Sequence, residues 1–149
     1  MPGKLFDIAL KFSKLDENEI LRKIWSDTEV QDFIIKLNTI DQLRLGNLAN
    51  GGEMPEAGPN YLAAKRSLKG SFVGPTSKVS LLLDGDFYRS WQVIPNSIGF
   101  LIDANTTIHG RDFIKIYGLD ILGLNDENTE KLSDFIKEKI IEEIRSILD

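Results

Sequence analysis

Apolar residues recur at helical spacing near the end of the chain. Three to four of them in every two turns is the pattern of a helix that buries one face. Asn125 precedes the pattern as a cap, and Asp126 and Glu127 place acids in the first turn, where they complement the helix dipole. The pattern therefore predicts a long amphipathic C-terminal helix. Its apolar stripe comprises Leu132, Phe135, Ile136, Ile140, Ile144, Ile147 and Leu148.

The N-terminal part, up to Leu45, also has helical features. Asp16 with Glu19, and Ser26 with Glu29, have the capping-box spacing, in which a side chain and the backbone satisfy each other's donors. A short helix is predicted from about Glu17 to Trp25. A second helix is predicted to follow Ser26, to continue to Leu45 and to end at Gly46. Residues 4–12 are apolar enough for a strand or a helix, and the sequence leaves both alternatives open.

The segment from Val79 to Asn105 predicts sheet. Trp91 and Val93 alternate with polar neighbours, and Pro95-Asn96-Ser97 is expected to turn the chain. Residues 100–105 alternate again on the way back, which predicts a hairpin with one buried face. Residues 106–111 are expected to form a loop. For Asp112–Tyr117, before Gly118, a helical turn is preferred over a strand.

Residues 46–80 are rich in glycine and proline and poor in large apolar side chains. Structureless connections beyond about 15 residues are uncommon and are usually functional or mobile. This segment is therefore predicted to be a long arm, interrupted by a short helix from Tyr61 to Leu68. We expect the arm to be mobile in the isolated chain and to become ordered when it docks on a neighbour.

The chain of 149 residues is predicted to form one domain, residues 1–149, of the α+β class. Its expected parts are N-terminal helices, a small antiparallel sheet with a central hairpin, and the long C-terminal helix. The absence of cysteine excludes disulfides, thiolate nucleophiles and cysteine-based zinc sites. No apolar run approaches the ~20 residues of a membrane span.

The net charge is −5 and is unevenly distributed. Residues 119–149 hold nine acids against four bases, whereas residues 51–118 hold six acids against seven bases. The sequence thus offers no broad basic face, and tight, sequence-specific binding of nucleic acid is not expected. Lys65, Arg66 and Lys69 with Tyr61 could contact a nucleic-acid backbone, but a solvated helix face is the preferred interpretation.

The stretch Asp84-Gly85-Asp86 is the strongest candidate for chemistry. A calcium loop would continue with further oxygen ligands and end in a glutamate, but Phe87 and Tyr88 follow. A glycosidase would need a defined pair of carboxyl groups, and nothing singles out such a pair. The preferred interpretation is a turn in which Gly85 adopts a positive φ angle.

Two other candidates carry weaker signals. His109 is the only histidine and has no nucleophile motif beside it, so it is interpreted as a solvent-facing loop residue. The glycine-rich stretch Asn50-Gly51-Gly52 lacks the Gly-Lys-Ser/Thr ending of a phosphate loop. The sequence therefore predicts no catalytic, cofactor-binding or metal-binding residue, and no cofactor.

The second half of the chain contains several short motifs in a characteristic order. A basic helix with Lys65-Arg66 precedes Leu83-Asp84-Gly85-Asp86-Phe87-Tyr88-Arg89-Ser90, and the 91–105 hairpin follows. Tyr117-Gly118 then precedes Ile121-Leu122-Gly123-Leu124-Asn125. In this order the chain resembles the virion-morphogenesis or tail-completion family of tailed bacteriophages, which includes the Mu-type G protein and related neck proteins. Asp84 stands where that family commonly has threonine.

The resemblance implies a non-enzymatic structural protein of phage or prophage, at the head–tail joint or the tail end. Its expected partners are other tail or neck proteins and copies of itself in a ring, without a membrane. It would be made in the bacterial cytoplasm and become a virion component. In this interpretation Phe87 and Trp91 enter the core and Gly123 lets Leu122 and Leu124 pack beside the hairpin. The alternatives are a phage-associated hydrolase using carboxylates such as Asp84 and Asp86, and a small protein-binding adaptor unrelated to virions.

Overall fold

The structure is a computed structural model and describes residues 16–67, 77–82 and 85–149, with the backbone alone for residues 64–67. The predicted α+β class is confirmed. The described residues form six α-helices and two small antiparallel hairpins. Residues 4–12, for which strand and helix were left open, lie outside the described residues. The helices are α1 (Glu17–Ser26), α2 (Thr28–Thr39), α3 (Pro59–Ser67), α4 (Asp86–Arg89), α5 (Phe113–Tyr117) and α6 (Asp126–Leu148). The strands are β1 (Gln92–Asn96), β2 (Gly99–Asp103), β3 (Thr107–Ile108) and β4 (Arg111–Asp112).

The first predicted helix and its cap are confirmed. The Asp16 carboxylate accepts hydrogen bonds from the backbone N–H groups of Asn18, at 3.0 Å, and Glu19, at 3.4 Å. These bonds satisfy donors that have no partner within the helix. Ile20 and Ile24, one turn apart, are buried against the core. Local sequence thus sets both the start and the buried face of α1.

The second helix differs from its prediction at both ends. Ser26 does not cap α2: it closes α1, and Asp27 caps α2 by accepting from the Glu29 N–H at 2.8 Å. The α-helix ends at Thr39, and a 3₁₀ turn, Leu43–Leu45, follows before Gly46. Helical spacing could not reveal this break because the backbone of Gln42 leaves the helical region while its side chain bonds to a distant loop.

The central hairpin, β1 with β2, is confirmed, with one buried face. Val93 pairs with Ile102, and both side chains are buried, whereas Leu101 points to the other side and is exposed. The turn lies further along than predicted, at residues 97–98, because Asn96 pairs with Gly99. Pro95 belongs to β1, where an edge strand tolerates its missing N–H. Residues 79–82, predicted to begin the sheet, form no strand.

The predicted loop at 106–111 is a second, very short hairpin. Thr107 pairs with Asp112 and Ile108 with Arg111. His109 and Gly110 both have positive φ angles, 51° and 76°, as the two central residues of a type I′ turn require. His-Gly is not among the residue pairs typical of such a turn, so the sequence did not signal it. The helical turn expected before Gly118 is confirmed as α5.

The C-terminal helix is confirmed as α6, with Asn125 as its cap. The Asn125 side chain accepts from the N–H of Asn128 at 3.0 Å. Leu132 and Ile136 are buried. The helix packs on α1 and α2, with ion pairs at the edges between Lys23 and Glu143, 3.1 Å, and between Lys139 and Glu29, 2.7 Å.

Described parts of the predicted arm contribute to the core instead of standing apart from it. Met54, Tyr61 and Val79 are buried in the same apolar cluster as the helices. Glu56 and Lys78 join the two described parts of the arm through an isolated β-bridge. The described residues of the arm thus contact the core, and the expected ordering of the arm on docking stays a prediction. The helix predicted from Tyr61 to Leu68 is α3, whereas Lys69 and the side chains of Lys65 and Arg66 lie outside what is described.

Candidate functional site

The acidic stretch forms a corner at the start of a short helix. Gly85 has a φ angle of 90°, and α4 begins at the next residue. The Asp86 carboxylate pairs with Arg89 one turn later and lies 3.9 Å from the Nε2 atom of His109. The fold thus brings Asp86 and His109 together, although the sequence places them far apart. Asp84 lies outside the described residues.

The residues around this corner have structural partners. Phe87 and Trp91 are buried, as expected, and their rings lie 5.3 Å apart. The Ser90 hydroxyl donates to the Phe87 carbonyl at 2.6 Å and accepts from the Asn105 N–H at 3.0 Å. Backbone groups on both sides of the hairpin therefore hold Ser90. Neither of these hydrogen bonds of Ser90 involves His109, so they form no nucleophile–base pair.

Gly85→Val is expected to lower the free energy of unfolding by about 2 kcal/mol, because a β-branched residue is strained at φ 90°. A chemical-denaturation midpoint, compared with wild type, measures this effect. Gly58→Val is the control, since that glycine has no positive φ angle and no atom within 4 Å of an added Cβ. If Gly85→Val kept full stability but lost binding of a metal ion, Gly85 would belong to a ligand loop and not to a corner.

Two tyrosines support the backbone behind the corner. The Tyr88 hydroxyl donates to the Ser80 carbonyl at 2.6 Å, and the Tyr61 hydroxyl accepts from the Leu81 N–H at 3.1 Å. Burial raises the pKa of Tyr88 well above its ordinary value, so its hydroxyl stays protonated at neutral pH. Leu81 is buried at a positive φ angle of 59°. These tyrosines thus hold an unusual backbone conformation in place.

Surface ion pairs account for the shifted pKa values of three charged groups, Glu56, Lys78 and Lys139. Lys78 lies 3.2 Å from both Glu53 and Glu56. Hydrogen bonds from Ser77 and Lys78 lower the pKa of Glu56, and the bond to Glu56 raises the pKa of Lys78. The pKa of Lys139 is likewise raised by its bond to Glu29. Each shift favours the ordinary charged form, so none of these groups is tuned to exchange protons near pH 7.

Three buried amide side chains, Asn38, Gln42 and Asn128, form a network that the sequence pattern did not predict. Asn38 accepts from the Gly123 N–H at 2.7 Å and donates to the Ile121 carbonyl at 3.2 Å. Gln42 donates to the Gly123 carbonyl at 2.7 Å and accepts from the Asn125 N–H at 2.8 Å. Asn128 donates to the Gln42 side chain and to the Leu37 carbonyl. The available sequence signal was the pair Asn38 and Gln42. These residues lie four positions apart within the apolar pattern of the predicted second helix.

This amide network fixes residues 121–125 against the end of α2 and the residues that directly follow it. Asn38 and Gln42 each pair with the loop backbone as a neighbouring strand would, through one donor and one acceptor. Gly123 has a φ angle of 116°, and an added Cβ there would lie 3.3 Å from that of Ala49. The loop is therefore held from two sides. As expected, its leucines Leu122 and Leu124 face the same space as the hairpin.

An apolar groove of about 760 Å³ lies between this loop, the hairpin and α6. The rings of Trp25 and Phe100 meet beside it at a centroid distance of 4.8 Å. Leu101 and Leu119 are 57% and 71% exposed. Among the described residues that line it, Lys137 is the one ionisable residue. The lining comprises Trp25, Phe100, Leu101, Ile102, Leu119, Leu122, Gly123, Leu124, Thr129, Leu132, Ser133, Ile136, Lys137 and Ile140.

The glycine-rich stretch after Asn47 forms a turn docked beside the fixed loop. Asn47 and Glu53 form an antiparallel bridge, and the Asn50 side chain accepts from the Gly52 N–H at 2.8 Å. The Ala49 N–H donates to the Asp120 carbonyl at 2.8 Å. These bonds use the donors that a phosphate-binding loop would direct at its ligand.

Within residues 16–67, 77–82 and 85–149, no group of three or more His, Asp or Glu side chains is arranged to hold a metal ion. None of the helices described is both long and apolar enough to span a bilayer. The chain matches no protein-family model, no curated protein and no solved structure. Its function must therefore be argued from its own surfaces.

Proposed function

We propose that this chain is a structural protein of a tailed phage or prophage, placed at the head–tail joint or the tail end, and that it acts by assembly. The observation that carries the proposal is the apolar groove. Large apolar side chains such as Leu101 and Leu119 remain exposed at its rim, and continuous exposed apolar surface usually marks a contact with another macromolecule. A groove with a single ionisable residue among its described lining residues favours docking over acid–base chemistry.

Two further features support assembly. The hairpin is two-stranded, so among the described residues each of its strands has a partner on one side alone. The net charge of −5 also suits a subunit of a channel through which DNA passes without being gripped. The resemblance of the motif order to that of the tail-completion family supports the particular location that we propose.

Particles from the host of origin test this proposal. We expect mass spectrometry of purified virions or induced prophage particles to detect the chain. Deletion of its gene should leave heads and tails that fail to join, or tails with an incomplete end, in negative-stain micrographs. Absence of the chain from particles, together with an unchanged titre in the deletion strain, would refute the proposal and favour an adaptor unrelated to virions.

The approach of Asp86 to His109 is the observation that favours the rival hydrolase. In that case Asp86→Asn should abolish infectivity or release while particles assemble normally. If the proposed structural role holds, Asp86→Asn particles keep their titre, because the carboxylate serves a surface pair with Arg89.

A further inference from the structure

The rim of the apolar groove carries acidic residues along α6. Thr129 and Ser133 line the groove, and Glu130 and Asp134 directly follow them. One residue is a rotation of about 100° on a helix, so these acids lie toward solvent beside the groove. Both are exposed, and Asp134 also lies 3.7 Å from Lys137. An occupant with apolar anchors and cations along one side would match this surface.

The first fifteen residues of the chain have that composition. They lie outside the described residues, and their sequence holds three lysines against one aspartate. Leu5, Ile8, Ala9 and Phe12 are spaced i, i+3, i+4 and i+7, which is how an amphipathic helix presents its anchors to an apolar groove. On the same helical projection, Lys4, Lys11 and Lys14 fall together on another side.

The position of Asp16 indicates which copy receives this segment. Asp16 lies beside Glu143 and Ile147, whereas the groove reaches Trp25 at the opposite end of α1. At 1.5 Å per residue these ends of α1 are about 13 Å apart. The chain therefore enters α1 at the end remote from its own groove, and a preceding segment can reach a neighbour without reversing direction.

We propose that residues 4–15 of one copy bind as an amphipathic helix in the apolar groove of a second copy. Glu130 and Asp134 would then face lysines, whereas two grooves brought together would oppose acids with acids. The donating segment and the accepting groove are different surfaces, so the contact is head-to-tail and repeats into a ring or a filament. This inference rests on the proposed function, for which it names the contact between subunits.

Cross-linking of single-cysteine variants of the full chain tests the contact, because the natural chain has no cysteine. One copy carries Ile8→Cys, and a second copy with a larger tag carries Ser133→Cys in the groove. After mixing, a short bismaleimide is expected to join the two chains. Ser146→Cys, an exposed serine of α6 outside the groove lining, replaces Ser133→Cys in the control and should give little product.

A charge in the groove should weaken the contact. Leu101→Asp in the accepting copy is expected to lower the cross-linking yield about tenfold, as a loss of about 1.4 kcal/mol of binding free energy would. Ile98→Asp is the matched control, because Ile98 is 96% exposed on the same hairpin and is absent from the groove lining. Circular dichroism must show that both variants remain folded.

The outcomes separate this inference from the proposed function. A product equal for Ser133→Cys and Ser146→Cys, or one insensitive to Leu101→Asp, overturns the inference. So does a chain carrying both Ile8→Cys and Ser133→Cys that cross-links only within itself. If these results accompany detection of the chain in virions, the structural function stands and the contact is wrong. A specific cross-link from a chain absent from virions leaves the contact and refutes the phage location.

Discussion

Gln42→Leu is expected to lower the free energy of unfolding by about 3 kcal/mol. The side chain of Gln42 is fully buried, and it serves the Gly123 carbonyl and the Asn125 N–H at the same time. Leucine preserves the apolar volume but leaves both backbone groups, and one donor of Asn128, without that partner. Equilibrium denaturation in urea, followed by far-UV circular dichroism, measures the change.

Gln92→Leu is the matched control for this prediction. Gln92 also donates to a distant side chain, Asp103, at 3.3 Å, but it is exposed. Water replaces the lost bond there, so stability should change by less than about 0.5 kcal/mol. Equal effects of the two substitutions would show that burial does not govern the contribution of the amide network to the free energy of unfolding. Gln42→Leu can also be introduced into the copy that carries Ser133→Cys. If that copy then lost the cross-link to Ile8→Cys at temperatures where it remains folded, the 121–125 loop would be needed to shape the groove.

Phe113→Ala is expected to be at least as destabilising, by about 4 kcal/mol. Phe113 is 1% exposed, and its ring stacks on that of Phe87 at 5.0 Å with an angle of 15°. Removal of the ring deletes buried apolar surface and leaves a cavity where α5 meets the corner at Gly85. Thermal and urea denaturation together measure the loss, and a broadened transition would report a loosened core.

Phe135→Ala provides the comparison for Phe113→Ala. Phe135 also makes an aromatic contact, with Phe33 at 4.3 Å, but it is only half-buried on α6. Its loss should cost about half as much, because less apolar surface leaves water when this side chain folds. A larger effect at Phe135 than at Phe113 would place the main core between α2 and α6 and contradict the central role of Phe113.

Several elements were predictable because their causes lie within one or two turns of the chain. Asp16 and Asn125 cap helices through bonds to residues two or three positions away, and α6 shows its buried stripe at regular spacing. The alternation around Val93 and Ile102 likewise revealed the buried face of the hairpin. The corner at Gly85 was predicted as a turn because glycine readily adopts a positive φ angle and an aspartate beside it can bond nearby backbone amides.

Other features depend on partners far away in sequence. The break after Thr39 follows from Gln42 turning toward a loop some eighty residues later, and no local pattern encodes that bond. The second capping box was misplaced by one residue because Ser26 and Asp27 are both good caps, and the packing of α1 against α2 selects between them. The docking of Met54 and Val79 was hidden by the glycine and proline residues around them.

The sequence by itself determined the class of the fold, the starts of α1 and α6, the buried face of the hairpin and the apolar stripe of α6. Those features arise from capping, periodicity and turn chemistry, whose free energies act between near neighbours. Only the tertiary structure decided that Asn38 and Gln42 hold the 121–125 loop, that Asp86 meets His109, and that Leu101 and Leu119 rim one groove. These contacts exist because packing of the whole chain brings distant segments together, and local propensities carry no information about which segments will meet.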